Sequence, residues 1–148
     1  MNRADSLVSM PDLPLTGGCL CGGVRFEVTA PLVSASYCHC TRCQRRTGTA
    51  ASAQARVAPG SLEVVQGSDL VREWVPGDEG WPKCFCAACG GALWSRSPAG
   101  DGVFSVRLGT FDQDPGIRPR HRQFVAYAVP WEPIHDDGLP RYEERPPS

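Results

Sequence analysis

The chain has 148 residues and a mass of 16.0 kDa, which is the size of one domain with a single hydrophobic core. Hydrophobic residues make up 41% and charged residues 21%, and this composition excludes an intrinsically disordered chain. The net charge is -1, from 15 basic and 16 acidic residues, so we expect no nucleic-acid partner and no membrane surface bound through bulk charge.

The beginning of the chain predicts neither a membrane anchor nor an export signal. No stretch approaches the roughly 18 apolar residues of a membrane span, and residues 1–18 hold acidic and proline residues without an apolar block. We expect a flexible leader over residues 1–14, one domain over residues 15–142 and a flexible tail over residues 143–148. A chain of this kind is expected in the cytoplasm, where cysteines bind metals more often than they form structural disulfides.

Short segments of alternating polarity, separated by turns, predict an all-β domain. In chain order the strand candidates are residues 24–29, 51–57, 62–66, 70–75, 92–95, 103–108 and 124–129. The chain holds 16 Gly and 14 Pro, many of them between these segments, as expected for a domain with many turns. The one helix candidate, residues 42–47, is too short to be stable alone.

Eight cysteines carry the clearest chemical signal, and they fall into three groups. The groups are Cys19 and Cys21 followed by Gly22, then Cys38, Cys40 and Cys43, then Cys84, Cys86 and Cys89 followed by Gly90. C-x-C and C-x-x-C spacings let two thiolates of one tight turn reach the same ion, with sulfur about 2.3 Å from zinc. A glycine directly after the last cysteine lets the backbone turn back at low steric cost.

The spacing suggests how these cysteines combine. The two clusters that end in Cys-Gly predict one closed site, made of Cys19, Cys21, Cys86 and Cys89. We call this site the four-cysteine group. It would join segments more than 60 residues apart and add metal-binding energy to folding. We call the middle cluster, Cys38, Cys40 and Cys43, the three-cysteine group. Three protein ligands with one open position are typical of a catalytic zinc, so these three are also the catalytic candidates.

An alternative is a protein whose two metal sites are both closed. With Cys84 or His39 as the fourth ligand of the three-cysteine group, the domain would be a non-catalytic structural or interaction module. Cys84 lies on the same face of an extended segment as Cys86, but it also fits a small buried apolar residue. His39 lies between two of the cysteines and is expected to point away from their metal.

The cysteines and the residues around them form motifs that resemble those of a known family. The segments concerned are residues 18–26 (GCLCGGVRF), 38–43 (CHCTRC) with Thr47-Gly48, 85–90 (FCAACG), Pro130-Trp131 and 139–143 (LPRYE). Together they resemble the glutathione-dependent formaldehyde-activating enzyme (Gfa)/centromere-protein-V family over residues 16–144. A combined pattern of this kind is far more specific than any single cysteine pair.

The resemblance implies a zinc-containing β-tent of small antiparallel sheets, a fold shared with methionine sulfoxide reductase B. It implies two Zn²⁺ ions per chain, a structural one in the four-cysteine group and one linked to catalysis and glutathione in the three-cysteine group. The implied partners are a small thiol such as glutathione and a small aldehyde such as formaldehyde. The implied activity is that of a carbon–sulfur lyase, S-(hydroxymethyl)glutathione synthase.

Two positions depart from the pattern of that family, both outside the metal motifs. Gln44 follows the third cysteine of the middle motif, where many members have Arg, and Arg122 stands nine residues before Trp131, where members often have His. Three arginines follow the cysteines of the middle motif closely: Arg42, Arg45 and Arg46. They are candidates to offset the charge of the thiolates or to bind a carboxylate. The alternative is that they are solvated surface residues.

Overall fold

The computed structural model describes residues 10–100 and 102–147, and it consists of two β-sheets with one short helix. The three-stranded sheet runs in the order β1 (Leu15–Gly18), β2 (Arg25–Val28) and β5 (Leu62–Gln66). The seven-stranded sheet runs in the order β10 (Arg122–Gln123), β3 (Ser34–Cys38), β4 (Ser52–Arg56), β9 (Val103–Arg107), β8 (Ala92–Arg96), β7 (Lys83–Cys86) and β6 (Val71–Trp74). Neighbouring strands are antiparallel, except that β10 pairs with β3 in parallel.

The hydrophobic core lies between the two sheets. Phe26 and Val28 alternate with polar residues on β2 and are fully buried, as expected for a strand with one face in the core. The ring of Phe26 meets the edge of Trp94, on β8, with centroids 5.7 Å apart. Val106 and Cys84 come to the same core from β9 and β7. The small sheet therefore covers one face of the large sheet, and the opposite face is left for polar side chains.

The single α-helix, α1 (Thr41–Thr47), follows β3 directly and carries cysteines at its start. Cys40 is its N-cap, and the Cys40 sulfur accepts a hydrogen bond from the amide of Cys43 at 3.4 Å. Gly48 ends the helix with φ 67°, a left-handed conformation that glycine adopts without strain. The sequence thus fixes both ends of a helix that is too short to persist without tertiary contacts.

The all-β prediction is confirmed. Six of the predicted strand segments correspond to β2, β4, β5, β6, β8 and β9, and the helix predicted at residues 42–47 is α1. The strand predicted at residues 124–129 is wrong, because Phe124 adopts a left-handed φ of 58° and a single 3₁₀ turn, Val125–Tyr127, follows it. None of the helical segments within residues 10–100 and 102–147 has the length and apolarity that crossing a bilayer needs.

The sequence did not predict β1, β3, β7 or the two-residue β10. The first three of these strands are rich in Gly, Ser, Ala and Cys, which give little strand signal, and β10 is too short to show a pattern. The predicted division into leader, domain and tail stays a prediction, and residues 1–9 of the leader lie outside the described residues.

Candidate metal centres and cavity

The four-cysteine group is built from two similar turns on different sheets. Cys19 and Cys21 lie in the turn from β1 to β2, whereas Cys86 is the last residue of β7 and Cys89 lies in the turn from β7 to β8. Each turn continues into a glycine with positive φ, 77° at Gly22 and 76° at Gly90 in that order. The pairing predicted from the sequence is the one that the structure brings together, since the four sulfurs lie within 4.8 Å of one another.

The sulfur positions of this group fit a tetrahedral metal ion. The Cys19 and Cys21 sulfurs are 3.6 Å apart, and those of Cys21 and Cys86 are 3.9 Å apart. Sulfurs about 2.3 Å from a tetrahedral zinc would be about 3.8 Å from one another. Backbone amides point at the sulfurs, at 3.2 Å from Val24 to Cys19 and 3.3 Å from Ala88 to Cys86. These four thiols could therefore hold a metal ion as thiolates.

The amides also affect the acidity of this group. The pKa of the Cys89 thiol is lowered to about 6, first by the backbone amide of Cys21 and then by that of Gly91. An amide from one turn thus stabilises a thiolate of the other turn. This contact across the two turns favours the deprotonated form that binds metals.

The three-cysteine group lies where β3 passes into α1. Cys38 ends the strand, Cys40 caps the helix and Cys43 lies in its first turn, with the three sulfurs within 4.8 Å of one another. Cys38 and Cys43 are buried and Cys40 is partly exposed. The pKa of the Cys43 thiol is well below its usual value, first because Cys38 and Cys40 donate hydrogen bonds to it, and further because of Ser52. These neighbours thus stabilise a thiolate at Cys43.

Two arginines, one buried and one partly buried, lie close to the sulfurs of this group. Arg107 is 8% exposed, and one of its terminal nitrogens, Nη1, donates to Gln54 Oε1 at 2.5 Å. The Nη2 atom of Arg46 donates to the carbonyl oxygens of Cys84 and Trp94, both at 2.9 Å. Burial and the nearby Arg107 lower the pKa of Arg46 to about 10, whereas the thiolate of Cys43 acts in the opposite direction. The site is therefore electropositive around its sulfurs.

The three arginines singled out in the sequence have different surroundings. Arg46 is partly buried beside the three-cysteine group, whereas Arg42 forms an ion pair with Asp78 and Arg45 is exposed. Sequence reasoning missed Arg107 and Lys83, both of which face the site. Lys83 is the one lysine of the chain and directly precedes a cysteine, which is a weak signal.

Neither alternative fourth ligand joins the three-cysteine group among the residues that the structure describes. Cys84 is 2% exposed in the hydrophobic core, and burial raises its pKa to about 11. His39 is buried with Nε2 3.2 Å from Nη1 of Arg122. Since a guanidinium only donates, Nε2 of His39 accepts this hydrogen bond. The two departures from the family pattern meet here, because Gln44 Nε2 donates to the carbonyl oxygen of His39 at 2.7 Å.

A cavity of about 1240 Å³ opens beside the three-cysteine group, on the polar face of the large sheet. Its floor is formed by side chains from β3, β4, β9, β8 and β7, and its rim includes the residues 145–147 near the end of the chain. All three cysteines line it, so a small molecule in this space reaches the sulfurs. A volume of this order accommodates a ligand much larger than formaldehyde.

Aromatic side chains form one wall of the cavity. The rings of Trp81 and Phe104 meet edge to face with centroids 4.4 Å apart. Ser105 and Val103 pair with the adjacent residues Ser95 and Arg96 on β8, so Phe104 is an extra residue at a β-bulge. A bulge re-aims the side chain of its extra residue, which explains how Phe104 faces the cavity along with Ser105.

The segment 121–127 also contributes to the lining of the cavity, and it is hydrogen-bonded to the end of β3. The amides of Tyr37 and His39 donate to carbonyls of this segment, at His121 and Gln123, both at 3.0 Å. Phe124, with its left-handed φ of 58°, lines the cavity, and its amide donates to the carbonyl of Glu144 at 3.0 Å. A bulky residue in this conformation is strained, and strained residues concentrate at functional sites.

Comparisons with known proteins agree with this architecture. The chain is similar to a solved Rhodobacter sphaeroides protein, with 26% sequence identity, a TM-score of 0.53, and coverage of 86% of this chain and 98% of the other. A comparison with curated proteins gives no match. The sequence model of the family described as glutathione-dependent formaldehyde-activating enzyme matches residues 14–127, well over half of the chain. On this match, which spans both cysteine groups, the chain belongs to the glutathione-dependent formaldehyde-activating enzyme family.

Proposed function

We propose that the chain is a zinc-dependent enzyme that adds a small thiol, such as glutathione, to formaldehyde, and that it breaks the same carbon–sulfur bond in reverse. This is the activity of an S-(hydroxymethyl)glutathione synthase, a carbon–sulfur lyase. The observation that carries the proposal is a set of three thiols, without a fourth protein ligand among the described residues, that lines a cavity of about 1240 Å³. Membership of the glutathione-dependent formaldehyde-activating enzyme family supports it.

The proposal assigns two zinc ions to the chain. The four-cysteine group would hold a structural zinc, since four thiolates complete a tetrahedral shell, and the three-cysteine group would hold the catalytic one. Thiolate ligands suit zinc, whereas magnesium, calcium and manganese prefer oxygen ligands. When bound in the three-cysteine group, zinc supplies an electron-pair acceptor that favours the thiolate form of a substrate thiol.

The reaction is balanced without a further reactant. A bond forms between the thiol sulfur and the carbonyl carbon, the carbonyl π bond breaks, and the proton lost from sulfur ends on the new hydroxyl oxygen. Arg107 places its positive charge beside the thiolates, where it offsets the charge on sulfur and on the oxygen that becomes negative during addition. Trp81, Phe104 and Phe124 give the same cavity an apolar part of its lining.

The competing hypothesis is a non-catalytic module with two closed metal sites. It needs a fourth protein ligand in the three-cysteine group, and Cys84 and His39 were the candidates. Cys84 lies in the core and Nε2 of His39 accepts from Arg122, so both positions support the enzyme over the module.

The test measures the exchange between glutathione and its hydroxymethyl adduct by NMR, in the presence of formaldehyde. We expect the parent protein to raise the exchange rate at least about tenfold over the spontaneous, protein-free rate. Cys40→Ser should return the rate to that background while the far-UV spectrum stays unchanged, because serine is a poor ligand for zinc. Cys84→Ser, the matched control, should keep the parent rate. A parent rate equal to the protein-free rate would refute the proposal.

A further inference from the structure

The floor of the cavity contains a row of polar side chains that crosses four strands in register. Arg56 on β4 pairs with Ser105 on β9, Ser105 pairs with Ser95 on β8, and Ser95 pairs with Lys83 on β7. All four residues line the cavity. We call this row the basic rung, with Arg56 and Lys83 at its ends and the two serine hydroxyls, 2.6 Å apart, between them.

Neither end of the basic rung forms an ion pair with a carboxylate within the described part of the chain. The ion pairs there involve other residues, and the one acidic residue of the cavity that forms such a pair, Asp78, is joined to Arg42. Arg56 instead lies over the ring of Phe104, 4.3 Å from its centroid. Lys83 is partly buried, so its charge is costly without an anion close to it.

The charges around the three-cysteine group also leave a positive surplus. Three thiolates and one divalent zinc ion carry a single net negative charge. Arg46, Arg107 and Lys83 add three positive charges close to the sulfurs. An incoming thiolate removes one of the two surplus positive charges, and a second anionic group on the same ligand would remove the other.

We propose that the basic rung is a carboxylate-binding subsite, and that it selects a thiol substrate that carries carboxylates over a neutral one. The Lys83 ammonium and the serine hydroxyls donate to one carboxylate, and Arg56 is positioned for a second. A peptide thiol with two carboxylates, such as glutathione, has this chemistry. The inference rests on the proposed function, since it places the substrate thiol in the same cavity.

The test uses S-methylglutathione as the probe, because its sulfur is blocked and its binding does not require a thiolate ligand on the metal. Isothermal titration compares this probe with its dimethyl ester, which lacks both negative charges. We expect the parent to bind the dicarboxylate at least about tenfold more tightly than the ester. Lys83→Met and Arg56→Met should each remove most of that preference. Arg45→Met, an exposed arginine outside the cavity, should keep it.

The outcomes separate the subsite from the proposed chemistry. Equal affinities for acid and ester, or a parent that binds neither, would overturn the subsite whatever the NMR exchange shows. A preference for the acid that needs Lys83 and Arg56, in a protein that does not accelerate the exchange, would keep the subsite and refute the chemistry. Arg56 is exposed, so its variant tests the subsite even where Lys83→Met fails to fold.

Discussion

At the scale of single residues, Arg107, which is buried, and Arg46, which is partly buried, show how a positively charged group is kept inside this protein. Arg46 Nη1 and Arg107 Nε are buried without a hydrogen-bond partner among the described residues. A buried hydrogen-bond donor without an acceptor lowers the free energy of unfolding by about 1–3 kcal/mol. The thiolate form of Cys43 offsets this cost, because its negative charge raises the pKa of both guanidinium groups. The arginines and the thiolates therefore stabilise one another.

Arg46→Met tests this role for the arginine of α1. The variant loses two hydrogen bonds to the carbonyls of Cys84 and Trp94 and the charge beside Cys43. We expect a loss of about 1–3 kcal/mol in the free energy of unfolding, measured as a melting temperature lower by roughly 2–4 °C for each kcal/mol. Arg45→Met changes an exposed neighbouring residue and should have the same melting temperature as the parent. Equal melting temperatures for both variants would contradict the role.

The two cysteines of β7 allow a matched comparison of a metal ligand with a core residue. Both Cys84 and Cys86 are buried and face the core, but the Cys86 sulfur alone belongs to the four-cysteine group. Cys86→Ala should lose one zinc per chain by elemental analysis and destabilise the protein severely, because metal binding there is coupled to folding. Cys84→Ala should keep both zinc ions and cost about 1 kcal/mol. The reverse order of zinc content would refute the assignment.

At the scale of elements, the turn from β5 to β6 supports the cysteine turn between β1 and β2. Gly67, with φ 75°, lies so close to Gly23 that a Cβ atom would be 2.0 Å from the carbonyl oxygen of Gly23. Gln66 of the same turn donates from Nε2 to the carbonyl of Gly22 at 3.3 Å. The position of Cys21 thus depends on a turn that is distant in sequence.

Gly67→Ala should therefore destabilise the protein more than a glycine change of equal backbone strain. Gly60 has the same φ of 75° but open space where a Cβ would be, so Gly60→Ala isolates the conformational cost of about 1–2 kcal/mol. We expect Gly67→Ala to melt several degrees below Gly60→Ala, because the backbone of the cysteine turn must move. Identical melting curves for the two variants would show that the close packing of Gly67 against Gly23 does not contribute to the stability of the protein.

The comparison of sequence and structure is also clearest for elements. Alternation of polar and apolar residues predicted strands such as β2, because one face of that strand is buried. The spacing of the cysteines predicted the two groups, because ligands within one turn are local in sequence. The basic rung could not be predicted, since it depends on register between strands far apart in the chain. The strand predicted at residues 124–129 failed because hydrogen bonds to residues 142–144 override its local pattern.

At the scale of the whole molecule, the four-cysteine group joins the two sheets, and the three-cysteine group lies at the edge of the cavity. Cys19 and Cys21 follow a strand of the small sheet, whereas Cys86 and Cys89 belong to a hairpin of the large one. A metal in the first group therefore stabilises the packing of the sheets. A metal in the second group leaves this packing unchanged and faces the ligand cavity. Under the proposed function, the molecule would separate a site for stability from a site for chemistry.

The most direct test of this account is zinc K-edge absorption spectroscopy on protein with a measured metal content. We predict two zinc ions per chain and an average of about 3.5 sulfur ligands per zinc, because seven thiolates are shared between a closed and an open site. Addition of glutathione should raise the average to about 4, and Cys40→Ser should leave one zinc with about 4 sulfurs. An average of about 4 before any thiol is added, or one zinc per chain in folded protein, would contradict the account.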